Sequence, residues 1–297
     1  MDSLSRELID VLRCPQSGQK LVSDQGRFTS EDRSYVYRIE NGILNLNFPP
    51  SHLCIDLPWV EPWEEIDGMS FERPVPLEGD DIPADVDPYK ASVIGGEGEG
   101  RWVLEIGCGE RHSEPYFQNR GFHYVGSDVD IRGRGPDVLC DAHNLPFIDE
   151  SFDVYYSRAV YEHLMCPLLA LTEAERVLRP GGIVMCACAF IYGFHDRASF
   201  FNCTHGALIT MLREAGFEDI QIWPGWYYTK SVPAWCFKGA FGLPWRVSTH
   251  LGLTMADFTY MHAFNFVRRL VGKSPRSVQL RGGWMAGGLN FAARKPL

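Results

Sequence analysis

Leu4, Leu8, Val11 and Leu12 recur at helical spacing, so the chain opens on a short amphipathic helix. The segments QKLVSD, GRFTS and SYVYRI read as short strands, and ENGILNLNFPP closes a compact α+β unit at residues 1–49. From Arg101 the texture becomes strand and helix in alternation. RWVLEIG, HYVGSD, DVLCD, FDVYYSR, GIVMCACAF, EDIQIW and GGLNFAARK read as strands, and SEPYFQNRG, CPLLALTEAERVLRP and HGALITMLREAGF as helices. Such alternation predicts a mostly parallel sheet covered by helices on both faces. A helical, aromatic-rich insertion at about 226–283 precedes the last strand.

Charge divides this outline further. Between Cys54 and Glu99 thirteen acids face Arg73 and Lys90, a net −11 in a chain of net −10, so the rest sums close to neutral. That proline-rich stretch reads as an acidic connector over residues 50–99, between the small unit and a large domain over 100–297. Its charge disfavours nucleic acid, and no basic run offsets it. Nine cysteines without C-x-x-C spacing argue against a disulfide framework or a zinc site and suit a reduced, cytoplasmic compartment. The longest apolar run, Gly181 to Tyr192, is too short to span a bilayer.

The chemistry centres on VLEIGCGERH, Val103 to His112. A dinucleotide turn needs a third glycine where His112 stands, and Glu110 would repel a pyrophosphate. A ligand with an amino-acid end, a ribose and an adenine but no phosphate fits better. Glu105 can meet its ammonium, Gly107 and Gly109 allow close approach, and Asp128 can accept the ribose hydroxyls. Asp141 can accept the adenine amino group, or cap the following turn instead. S-adenosylmethionine is such a ligand.

VLEIGCGE, YVGSDVD, DAHNLPFIDESFDVYYSRAVYEHL and RVLRPGGIV, in that order, resemble the class I S-adenosylmethionine-dependent methyltransferases of the type 11 kind. The resemblance is close over Arg101 to Phe217 and loose at the final strand. It implies a Rossmann-like, seven-stranded, mostly parallel sheet. It also implies a cofactor pocket lined by Gly107, Gly109, Asp128, Val129, Asp141, Ala142 and Ser157, with S-adenosylhomocysteine as product. One departure is Glu110-Arg111, where the family commonly has Thr-Gly. LIDVLRCPQSGQKL with YRIENGILNL is similar to the small zinc-ribbon domain of tRNA-methyltransferase activator proteins. Cys14 stands alone among the ligand positions, with Ser17, Ser30 and Arg33 at the others. The resemblance therefore implies a degenerate ribbon without metal, serving as a docking or lid element toward a protein partner or this chain itself.

Methyl transfer from a sulfonium depends chiefly on orientation. A hydroxyl or acidic carbon as acceptor would also need a base. His163 in YEHL and His195 in IYGFHD follow strands and are the candidates; both also have structural readings, and His205 reads as the start of a helix. Cys186 and Cys188 read as core. The expected function is methylation of a small metabolite, and the aromatic insertion suits a hydrophobic or aromatic one. The alternatives are an RNA methyltransferase and a non-catalytic cofactor-binding scaffold.

Overall fold

The computed structural model describes residues 5–24, 27–47, 73–77, 86–193, 199–227, 242–272 and 286–297. Helix α1 (Arg6–Val11) is capped by Ser5, whose Oγ accepts the Leu8 N–H at 3.1 Å. Strands β1 (Leu21–Asp24), β2 (Arg27–Ser30) and β3 (Val36–Tyr37) form a small antiparallel sheet. The next two, β4 (Ile39–Glu40) and β5 (Ile43–Asn45), belong to the main sheet instead.

The parallel centre of that sheet comprises β6 (Trp102–Ile106), β7 (His123–Asp128), β8 (Val138–Leu139), β9 (Phe152–Arg158) and β10 (Leu178–Ala189). With β11 (Glu218–Tyr227) and β12 (Ala286–Arg294) the order is β11-β12-β10-β9-β6-β7-β8-β5-β4. Strand β12 runs antiparallel to both its neighbours. The seven expected strands are present, and the first unit extends them: β5 pairs parallel with β8 through Leu44 opposite Val138, and β4 closes the edge antiparallel. Pairing occupies the open hydrogen-bonding groups of β8, which would otherwise be an exposed edge.

Period-two alternation sends successive residues of one strand to opposite faces. Val184 and Cys186 of β10 join the core beneath α4 (Pro167–Val177) and α5 (His205–Glu214), while Ile183 and Met185 join the one beneath α2 (Pro88–Ile94) and α3 (Glu114–Asn119). Cys186 and Cys188 are buried, and His205 opens α5 behind its Thr204 cap. Helix α2 lies within the stretch read as connector. Asp87 caps it by accepting the Tyr89 and Lys90 N–H groups at 3.0 and 3.1 Å, Pro88 starts it, and Ala91 and Ile94 are buried. Asp-Pro at a helix start was a local signal for it.

The first unit also grips the turn between β8 and β9. Arg13 N–H donates to Pro146 O at 2.8 Å, Ile148 N–H to Val11 O at 2.7 Å, and Asn144 Nδ2 to Pro15 O at 2.7 Å. Leu12 and Phe147, both fully buried, meet in an antiparallel bridge there. Among the described residues, the insertion before β12 holds one long helix, α6 (Gly242–Leu270). Among the described residues no helix is long and apolar enough to cross a membrane.

Candidate functional site

The ends of β8, β7, β6 and β9 lie side by side, since Asp128 pairs with Leu139, Ile106 with Ser127, and Ile106 with Ser157. The carboxyl ends of parallel strands are where open α/β sheets bind ligands. Every proposed cofactor residue sits on these four ends or the turns that follow them.

The glycine turn leaves β6 through two residues of positive φ, Gly107 at 69° and Gly109 at 51°. A Cβ on Gly107 would lie 2.2 Å from Cγ2 of Val160, so that glycine is needed for packing as well as conformation. A Cβ on Gly109 would meet nothing within 4 Å. The turn is therefore open at Gly109, where a ligand can reach the backbone. Asp128, at the end of β7, organises this opening. Its Oδ2 accepts the Gly109 N–H at 2.9 Å, and its Oδ1 accepts those of Val129 and Asp130 at 2.8 and 3.2 Å. The carboxylate is half-buried, and Val129 beside it is exposed.

Glu105 lies deeper. Its side chain is buried, with Oε1 accepting from Ser113 Oγ at 2.5 Å and Oε2 from the Tyr124 hydroxyl. Burial pushes its carboxyl up to about 7, against the opposing pull of these two donors. Both oxygens thus bind the turn's own scaffold. Arg111, the residue that departs from the family pattern, also points inward. Its guanidinium makes a bidentate contact with Glu114, at 3.1 and 2.8 Å, and lies 2.9 Å from Asp137. It stacks 5.0 Å from the centre of the Tyr124 ring. Asp137 in turn accepts the Gly126 N–H at 2.8 Å. Glu110 remains at the surface beside His112. The exchange of Thr-Gly for Glu-Arg therefore puts one side chain into the foundation of the turn and the other into solvent.

Asp141 and Ala142 follow β8. Asp141 Oδ1 accepts the His143 N–H at 2.9 Å and contacts its Nδ1 at 2.6 Å, while His143 Nε2 accepts the Cys166 N–H at 3.2 Å. That donor at Nε2 places the imidazole proton of the neutral ring on Nδ1, facing Asp141. Burial alone would raise the Asp141 carboxyl; the His143 bonds outweigh it and hold the group below the usual range. The turn-capping geometry is thus present at Asp141. Ala142 is buried. Ser157 is fully buried, and its hydroxyl donates to Ile106 O at 3.1 Å, tying β9 to β6.

His163 ends the short 3-10 turn Tyr161–His163 after β9; it is half-buried, and its N–H donates to Val160 O at 2.8 Å. His195 lies outside the described residues. Sequence reasoning passed over Glu162, which is buried in that turn and whose carbonyl accepts the N–H groups of Phe200 and Phe201 at 2.8 and 3.1 Å. A charged residue beside a histidine carried no signal of burial. The sequence also did not reveal a cavity of about 650 Å³ lined by Val75, Val93, Ile183, Gln221 and Arg294. It opens near the start of β10 and the end of β12, away from the glycine turn.

A mostly parallel sheet with a glycine turn anchored by a carboxylate on the neighbouring strand defines an α/β domain with a candidate ligand site at its strand ends. Comparison with known proteins narrows the class. Residues 104–186, less than a third of the chain, match the family described as "Methyltransferase domain". A Mycolicibacterium smegmatis protein named "probable S-adenosylmethionine-dependent methyltransferase" is 37% identical over 135 residues, 40% of this chain and 52% of that one. A Mycobacterium avium protein named "uncharacterized methyltransferase" is 32% identical over 116 residues, 35% of this chain and 46% of its own. The chain thus spans about half the length of these relatives. Among solved structures, Haemonchus contortus phosphoethanolamine N-methyltransferase 2 with S-adenosyl-L-methionine is 16% identical. It covers 69% of this chain and 51% of that one, with a TM-score of 0.45.

Proposed function

We propose that the chain is an S-adenosylmethionine-dependent methyltransferase acting on a small hydrophobic or aromatic acceptor. The observation that carries the reading is the opening at Gly109, backed by the Asp128 carboxylate and free of any side chain. Gly107 and Gly109 would receive the amino-acid end of the cofactor and Asp128 its ribose hydroxyls. Val129, Asp141, Ala142 and Ser157 would surround the adenine and the floor, Asp141 with the oxygen that His143 leaves unused. Bound there, the cofactor supplies a methyl group on a sulfonium. Glu105 acts from below: it holds Ser113 and Tyr124, and with them the start of α3, against the turn. His163, at the end of β9, would take a proton from a hydroxyl or carbon acceptor, and His195 is the other base proposed for that step. The aromatic-rich insertion supports an apolar acceptor.

The first unit is proposed as a degenerate ribbon that docks on its own chain. Cys14 Sγ lies 2.8 Å from the Tyr37 hydroxyl and accepts the Ser17 N–H at 3.3 Å, so the lone thiol takes part in hydrogen bonds where a metal-binding relative would ligate.

Calorimetric titration with S-adenosylhomocysteine, beside NADH as a control, tests the cofactor site. Micromolar binding of the former alone is expected. Asp128→Ala should weaken it at least about tenfold, since it removes the ribose acceptor together with the anchor of the Gly109 N–H. Unchanged affinity in a folded Asp128→Ala protein would refute the site assignment.

A further inference from the structure

We infer that helix α6 (Gly242–Leu270) is an interfacial helix that docks the protein on an anionic lipid surface. The inference rests on this helix and its charge, independently of the methyltransferase reading.

The near-neutral sum outside the acidic connector conceals a division. From Ile220 to Leu297 the chain has ten Lys and Arg against one acid, Asp257, a net +9, so residues 1–219 carry −19. The most basic cluster falls at the end of α6, where Arg268 and Arg269 occupy the last turn and Lys273 and Arg276 follow in the sequence. Arg268 lies over the Phe264 ring at 5.7 Å. Upstream of this cluster the helix presents large apolar side chains to solvent: Val247, Leu251, Met255, Phe258 and Phe266, with Leu270 beyond them. Met255 is 71% exposed, Phe258 66% and Phe266 63%. At 100° per residue these six fall within an arc of about 140°, which also holds His262, Asn265 and Arg269, while Tyr260 and Val267, exposed as well, fall outside it. No described residue covers this row, and a soluble surface rarely leaves so much large apolar surface exposed on one helix.

Three occupants compete for this face, and charge with side-chain type separates them. A second copy pairing as a coiled coil would need a heptad seam, but stepping by 3 and 4 from Leu251 or Phe258 brings Thr254, Asn265 and Arg268 into it. Nucleic acid would match the arginines and stack on the phenylalanines, but it offers nothing to Val247, Leu251, Met255 and Leu270. An anionic bilayer answers both features: the aliphatic and aromatic row enters the acyl boundary, while the long side chains of Arg268 and of Arg269, which lies within the row, snorkel to the headgroups. The helix is about 44 Å long and lacks a spanning stretch, so it lies along the surface.

The test is flotation of the whole protein with vesicles of phosphatidylcholine alone or with about one-third phosphatidylserine, at about 0.05 and 0.5 M salt. Binding to the anionic vesicles that weakens with salt is expected. Phe258→Ser/Phe266→Ser should reduce it at least about tenfold, and Arg268→Gln/Arg269→Gln by about fivefold per charge removed. Phe258, Phe266 and Arg269 are exposed and Arg268 is half-buried, so circular dichroism checks that the fold persists in both variants. Failure to float with anionic vesicles, or flotation unmoved by both variants, overturns the inference. Retention on poly(U), or self-association lost in Phe258→Ser/Phe266→Ser, without vesicle binding also overturns it and assigns the face to RNA or to a second copy. Titration of the same preparation with S-adenosylhomocysteine keeps the two readings separable: a protein that binds the cofactor product but ignores vesicles loses only this one.

Discussion

Replacing Glu105 by Gln isolates the electrostatics beneath the glycine turn. The parent carboxyl is 4% exposed, and burial lifts it from 4.5 to about 7. The gap between these values corresponds to roughly 3 kcal/mol between the two protonation states. Because the folded value lies above the unfolded one, the folded protein keeps this proton while the unfolded chain releases it. The stability so conferred is fully present below about pH 4.5 and is lost as pH rises to about 7. Gln cannot ionise and takes no part in this loss. It alters the bonds with Ser113 and Tyr124 by an amount that does not change with pH. Urea unfolding of both proteins at pH 5, 6, 7 and 8 then measures the difference between them. The variant should gain on the parent by about 2–3 kcal/mol from pH 5 to 8, and subtraction removes other titrating groups common to both. A difference that stays constant with pH would refute the reasoning and mean that Glu105 ionises in the fold as easily as in water.

Arg111→Met should destabilise the protein by about 3 kcal/mol in thermal or urea unfolding, because Asp137 and the buried Glu114 lose their shared cation; a loss below about 1 kcal/mol would show that Arg134 and Gln118 suffice for Glu114. Gly107→Ala should cost at least about 1–2 kcal/mol from its positive φ and its clash with Val160. Adding Val160→Ala should restore part of that loss, and an additive double variant would mean the contact is not what limits the position.

Much of the sheet was legible in local pattern. β7 and β9 coincide with HYVGSD and FDVYYSR, because a buried parallel strand needs a short apolar run and its neighbours need turns, and both are written in adjacent residues. The end of β7 at Asp128 was legible for the same reason, since the strand closes on it. Other features depend on residues far apart in sequence. The sequence shows Glu105 only as a carboxylate at a strand end, and folding brings Ser113 and Tyr124 onto both its oxygens. Arg111 looks like an intrusion in the glycine turn until the sheet sets Asp137 and Tyr124 against it.

By itself, the sequence determined the period of each strand and helix, the glycine positions and the charge carried by each segment, all properties of neighbouring residues. Only the tertiary structure decided where individual carboxylates and guanidinium groups are satisfied, and that β4 and β5 extend the main sheet. Hydrogen bonds and burial form between segments, and no local pattern states which segments will meet.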